Sequence, residues 1–107
     1  MKRYGQVIKI KQEGLETYKA YHKNPWPEVN LKLKACNIRN YSIYHKDDFL
    51  FAYFEYTGED YESDMKELAA DPVTQKWWKI MVPLLEPFAS RKEGELWAGM
   101  EEVYHLD

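Results

Sequence analysis

The stretch from Phe49 to Thr57 constrains this chain more than any other. It is rich in aromatic and branched residues and reads as a strand. Successive side chains of a strand point to opposite faces. Phe49, Phe51 and Tyr53 therefore share one face, and Leu50, Ala52, Phe54 and Tyr56 share the other. Both faces are apolar, so both need cover. Helices can cover one side of a sheet, which leaves the second exposed unless another layer packs on it. A second copy of the sheet, related by a two-fold axis, would supply that layer. The expectation is a homodimer packed sheet face to sheet face.

The other segments fit around this strand. Arg3 to Lys11 alternates Tyr4, Ile8 and Ile10 against Arg3, Lys9 and Lys11, a strand with one mainly apolar face. Glu13 to Lys23 is a helix former with Leu15, Tyr18 and His22 at helical spacing. Asn24-Pro25-Trp26-Pro27 breaks it, because proline lacks an N–H and restrains the residue before it. Pro27 also suits the first turn of a second helix, which runs to Cys36. Ile38 to His45 is a strand, joined to the next by the short polar turn Lys46-Asp47-Asp48. Asp60 to Ala70 reads as a helix. Asp71 caps another, with Pro72 at its first position, through Leu85. Pro87 to Trp97 is a polar connection containing Gly94, and Met100 to Leu106 reads as a last strand.

The order β, α, α, β, β, α, α, β is the split β-α-β pattern. The expected architecture is an α+β, ferredoxin-like sandwich: a four-stranded antiparallel sheet with helices on one face. At 107 residues the chain holds one core, so residues 1–107 form a single domain.

Composition removes several function classes. Fifteen Lys and Arg against 18 Asp and Glu give a net charge of −3, which argues against nucleic acid as a partner. One cysteine, Cys36, excludes an internal disulfide and a cysteine-based zinc site. The N-terminus lacks an apolar run of signal-peptide length, and no stretch approaches the roughly 18 apolar residues of a membrane span. The expected setting is the reducing cytoplasm, away from membranes. There is no Gly-rich phosphate loop and no His-Glu-x-x-His, and His22, His45 and His105 are scattered singly. No metal site and no cofactor are expected.

Four groups of residues could carry chemistry. Tyr18 and His22, at i and i+4, share a helix face with Cβ atoms about 5–6 Å apart. His22 lies near the helix end, where the dipole favours imidazolium, and an imidazole that titrates near neutrality suits proton transfer. The pair would equally suit the edge of a core. Trp26 is stiffened between two prolines, and Glu28 stands in the first turn of the second helix. Trp26 could instead simply plug the core. Asn40-Tyr41-Ser42-Ile43-Tyr44 puts Tyr41 and Ile43 on one face and Asn40, Ser42 and Tyr44 on the other. Polar groups this dense need partners, which a polar ligand or solvent at an edge strand would supply. Trp77 and Trp78 diverge by about 100° on their helix, so one can pack on the sheet while the other faces a cavity or the rim.

Together these segments resemble the L-rhamnose mutarotase family. The resemblance rests on Tyr18-Lys-Ala-Tyr-His22, Trp26-Pro27-Glu28, Asn40-Tyr41-Ser-Ile-Tyr44, Lys76-Trp77-Trp78-Lys79-Ile-Met81 and Glu102-Val103-Tyr104-His-Leu106, in family order over nearly the whole chain. It implies a dimeric ferredoxin-like fold and interconversion of the α and β anomers of a 6-deoxy aldose, L-rhamnose foremost, without metal or cofactor. His22 matches the family's proton donor, and Tyr18, Tyr41, Trp77 and Trp78 match its sugar-binding positions. Trp26, Glu28 and Asn40 stand as supporting candidates, and Glu28, Glu101 or Glu102 as groups that could orient His22. The short turn after the second strand and the segment from Arg91 to Leu96 depart from the family and leave L-fucose or another 6-deoxy sugar open. Two other readings are a small dimeric monooxygenase of this architecture and a non-catalytic sugar-binding domain.

Overall fold

A computed structural model describes all 107 residues. β1 is Lys2–Ile10, and a single 3-10 turn, Gln12–Gly14, leads into α1, Leu15–Lys23. α2 is Pro27–Ala35, β2 is Ile38–Lys46, β3 is Phe49–Tyr56, α3 is Tyr61–Ala70 and α4 is Pro72–Met81. β4, Leu85–Glu86, and β5, Ala98–Met100, complete the chain's regular elements. The sheet order is β2-β3-β1-β4, all antiparallel, and β5 also pairs with β1.

The helix boundaries follow local chemistry. Pro27 and Pro72 sit in the first turns of α2 and α4, where a missing N–H costs nothing. Asp71 accepts from the Thr74 N–H at 2.9 Å and from its hydroxyl at 2.8 Å, closing the N-terminus of α4. Asp60 caps α3 in the same way through the Ser63 N–H. α4 ends at Met81 instead of running to Leu85, because Pro83 cannot continue the ladder and turns Val82–Leu84 into a 3-10 turn.

The register of β1 and β3 pairs Ile8 with Leu50 and Tyr4 with Phe54. All four helices pack on that face. Ile8, Ile10 and Leu50 join Tyr18 of α1, Val29 of α2, and Trp77 and Met81 of α4 in the main core. Ile38, Phe54 and Tyr56 form a second cluster against Tyr61 and Met65 of α3. The opposite face carries Phe49, Phe51 and Tyr53, as the alternation predicts, with Val7 paired to Phe51 and Met100 paired to Gly5. Phe51 is 38% exposed and Met100 43% exposed.

Two expectations about the sheet are corrected. It has five strands and not four: β4 and β5 share the free edge of β1, pairing at Lys9–Ile10 and at Gly5–Val7 respectively. The last strand is Ala98–Met100, not Met100 to Leu106. Continued beyond Met100 opposite Gly5, the register would place Glu102 opposite Arg3, and these two do form a bidentate ion pair at 2.9 and 3.1 Å. β1 ends one residue further, at Lys2, so past Val103 the chain offers no edge to pair with. Val103, Tyr104 and Leu106 are left 76–85% exposed.

A candidate sugar pocket between α1 and β2

α1 sets the centre of the site. Tyr18 and His22 stack at 4.1 Å between ring centroids and 24° between planes. The His22 Nδ1–H donates to the Tyr18 carbonyl at 2.8 Å. A carbonyl only accepts, so the tautomer is fixed and Nε2 is the free nitrogen. The edge of Trp77 meets His22 at 5.3 Å, and Trp77 in turn packs on Tyr21 at 5.8 Å and Trp26 at 5.2 Å. The stiff Pro25-Trp26-Pro27 segment thus buttresses the indole that holds the imidazole.

Tyr41 reaches the same side of the sheet through a bulge. Arg39 pairs with Glu55 and Ser42 with Tyr53, so Asn40 and Tyr41 together oppose the single Phe54. Asn40 takes a left-handed φ of 50°, which asparagine tolerates better than most residues. The extra residue turns Tyr41 to the helix-covered face, and its ring lies 5.4 Å from Phe54. Without the bulge, alternation from Ile38 would send Tyr41 to the other face.

Burial shapes the protonation of these groups. It pushes the Tyr18 phenol well above the ordinary range, and the neighbouring Tyr41 phenol adds to this. The Tyr41 phenol is also raised, though Tyr41 is 41% exposed and its desolvation is correspondingly weaker. Burial lowers His22 below the usual imidazole range, against the opposing pull of the Tyr18 carbonyl. Desolvation thus works against the helix dipole that was expected to favour imidazolium.

A cavity of about 500 Å³ opens beside the pair, lined by Tyr18, His22 and Lys19 of α1, Ile43 and His45 of β2, and Leu50 of β3. That volume lies within the range of small-molecule pockets, about 300–1,000 Å³. Trp77 is 7% exposed and supports His22 from the core, whereas Trp78 is 38% exposed on the surface of α4. Of the expected site residues, Tyr18 and His22 line the cavity, whereas Tyr41, Trp26, Trp77, Trp78, Asn40 and Glu28 lie outside its lining. Asn40 spends its amide on Glu55 at 2.6 Å, and Glu28 is exposed on α2. Glu102 pairs with Arg3, so the Tyr18 carbonyl, and not a carboxylate, orients His22. His45 lines the cavity and is missing from the site residues expected above. The signal was the two-residue period that puts it on the face of Ile43. No three His, Cys, Asp or Glu side chains converge as a metal site, and no helix is long and apolar enough to cross a membrane.

The fold and pocket define a small ferredoxin-like protein whose cavity is lined by two imidazoles, those of His22 and His45, and by the phenols of Tyr18 and Tyr44. A model of the L-rhamnose mutarotase family matches residues 3–106. The chain is 33% identical over 109 residues to the L-rhamnose mutarotase of Lactiplantibacillus plantarum, and likewise 33% identical over 109 residues to that of Bacillus subtilis, with all of each chain covered. The chain belongs to the L-rhamnose mutarotase family. Its fold is also that of the L-rhamnose mutarotase from Formosa agariphila, with a TM-score of 0.78 at 24% identity over the whole of both chains. Tetracenomycin F2 cyclase from Streptomyces glaucescens shares the fold too, with a TM-score of 0.71 at 17% identity over 100% of this chain and 98% of that one.

Proposed function

We propose that this protein interconverts the α and β anomers of L-rhamnose. The reading is carried by His22, held by Nδ1 on the Tyr18 carbonyl, stacked on Tyr18 and opening into the cavity. Its membership in the family, with relatives of that name at 33% identity, supports the choice of sugar.

Ring opening puts a proton on the ring oxygen and removes one from the anomeric hydroxyl. The C1 end then turns, and closure on the other face reverses both transfers. In this proposal His22 Nε2 delivers the proton to the ring oxygen and takes it back on closure. The donor is the imidazolium, protonated on Nε2 as well as Nδ1; burial makes it a stronger acid than free imidazolium, which favours delivery, and the neutral ring left behind takes the proton back at Nε2 on closure. Tyr18 and Tyr41, phenols that stay protonated near neutral pH, donate hydrogen bonds to sugar oxygens. Trp77 keeps the imidazole in place. The steps call on proton transfer alone.

Saturation-transfer NMR of L-rhamnose tests this directly. Purified protein speeds anomer exchange, and His22→Gln lowers the rate by about 10²-fold or more while the protein stays folded. An unchanged rate in folded His22→Gln sinks the role of His22. A panel of 6-deoxy and ordinary hexoses ranks the sugars, L-fucose included.

We further propose that two copies pack through the exposed face of Val7, Phe51 and Met100, with the arm beyond Glu102 reaching across. An apolar sheet face and a strand-like apolar segment with no edge of its own support this. Phe51→Glu then yields a monomer by light scattering, where the parent chain runs as a dimer. A monomeric parent at micromolar concentration refutes the packing. The single thiol of Cys36, buried and within 3.4 Å of a Glu67 oxygen, suits a reducing compartment, and the cytoplasm is the setting we assign.

A further inference from the structure

With His22 assigned as the acid, the proposed reaction needs a second group as base for the anomeric hydroxyl. Neutral phenols raised by burial are poor proton acceptors. Among the charged groups that face the cavity, the ammonium groups of Lys19 and Lys23 have no lone pair, and the Glu16 carboxylate, on the same helix as His22, has no hydrogen bond that fixes its position. His45 is different. Its pairing with Leu50, which is 2% exposed, turns it to the helix-covered face beside Ile43. Its Nε2 lies 2.6 Å from the Asp47 carbonyl, so Nε2–H donates there and Nδ1 keeps a free lone pair. Asp47 holds that carbonyl in a tight turn, at φ 54°. The remaining charged groups near His45 are Lys46, Asp47 and Asp48 of the same turn.

We propose that His45, on the β2 wall of the cavity that His22 enters from α1, takes the anomeric proton. This inference rests on the mutarotase reading and completes its proton balance. Ring opening starts with His22 as imidazolium and His45 neutral: the His22 Nε2 proton goes to the ring oxygen, and the bond from C1 to that oxygen breaks with its electron pair going to oxygen. The anomeric O–H proton goes to His45 Nδ1, and the electron pair it leaves forms the carbonyl of the open-chain aldehyde. After rotation about the bond from C1 to C2, His45 returns its proton to the carbonyl oxygen. His22 accepts the proton of the attacking hydroxyl. Nothing is consumed, and both imidazoles end as they began. Each is fixed in one tautomer by a backbone carbonyl, Tyr18 for His22 and Asp47 for His45.

The experiment measures anomer exchange of L-rhamnose against pH for the parent, His22→Gln, His45→Gln, His45→Asn and Glu16→Gln, with thermal melts of each. His45 is exposed on an edge strand, so its variants melt with the parent. The parent gives a bell-shaped profile whose rising limb belongs to the base and whose falling limb belongs to the acid. Both His45 variants lose about 10²-fold or more in kcat with little change in KM, and lose the rising limb. Added imidazole restores rate to them and not to the parent. Failure of the parent to exchange L-rhamnose refutes the function itself. A parent that depends on His22, with His45 variants that keep kcat and both limbs, overturns this inference alone. So does loss of the rising limb in Glu16→Gln in place of the His45 variants.

Discussion

Replacing Trp77 by Phe separates the two adjacent tryptophans by what each one does. Trp77 is 7% exposed and touches three rings: His22 at 5.3 Å, Trp26 at 5.2 Å and Tyr21 at 5.8 Å. A buried indole removes about 150–250 Å² from water, worth about 4–6 kcal/mol at 25 cal/mol per Å². Trp77→Ala would also leave a cavity, and a cost of about 3–5 kcal/mol threatens a fold whose total stability is of order 5–15 kcal/mol. Trp77→Phe is the sharper probe. It keeps a ring but cannot meet all three neighbours, each such contact being worth about 0.5–1.5 kcal/mol. The expected loss is about 1–2 kcal/mol, and the melting temperature falls by about 4–8 °C for each kcal/mol. Trp78, 38% exposed, predicts a change within about 0.5 kcal/mol for the same substitution. Circular dichroism melts read the stability, and anomer exchange of the folded variants reads the site. Trp77→Phe lowers kcat as well, because His22 loses the edge that holds its plane. A Trp77→Phe protein that melts and turns over like its parent, or a Trp78→Phe protein that is the less stable of the two, refutes the reasoning.

Two further outcomes follow from local backbone chemistry. Asn40 has a φ of 50°, and a β-branched residue there costs about 1–2 kcal/mol. Asn40→Val therefore relaxes the bulge and withdraws Tyr41 from the site, lowering kcat/KM, whereas Asn40→Gly keeps it. Equal exchange rates in the two variants contradict the role of the bulge. Asp71 is held below the usual carboxylate range by the Thr74 N–H and then by the Thr74 hydroxyl. A depressed carboxylate contributes stability that is complete above its unfolded pKa and is lost as pH falls through its folded one. Asp71→Ala thus melts below the parent at neutral pH, and the gap closes in acid. A gap independent of pH rules out the cap as its source.

What could be read in the sequence was what depends on near neighbours. The Asp71-Pro72 start of α4, the break at Asn24 to Pro27 and the two faces of Phe49 to Tyr56 each rest on a few consecutive residues, and each is in place. The pairing of Tyr18 with His22 is likewise a matter of helical spacing. The rest required partners far along the chain. Which of Trp77 and Trp78 is buried depends on where α4 meets Tyr21 and Trp26. The protonation of His22 turns on a balance between a local dipole, visible in sequence, and burial by the fold, which is not. His45 looked like a lone histidine because its significance lies in facing the cavity that Tyr18 and His22 line.

The C-terminal segment shows the same distinction most sharply. Met100 to Leu106 has the composition of a strand, but a strand exists only where an edge accepts its hydrogen bonds. β1 offers that edge as far as Gly5, and the Arg3–Glu102 ion pair carries the register two residues further. β1 runs out one residue later, at Lys2. Val103, Tyr104 and Leu106 then leave the sheet with their apolar side chains in water, beside a sheet face whose Phe51 and Met100 are also uncovered. An unpaired apolar segment and an uncovered apolar face on one chain are complementary deficits, and a two-fold axis lets each copy relieve the other's. The strand-like pattern of the last residues is thus consistent with pairing outside the chain. Deleting residues 103–107 is expected to weaken the dimer as Phe51→Glu does, without lowering the secondary structure of the monomer. A truncated chain that stays fully dimeric would leave the sheet face as the whole interface and the arm with no part in it.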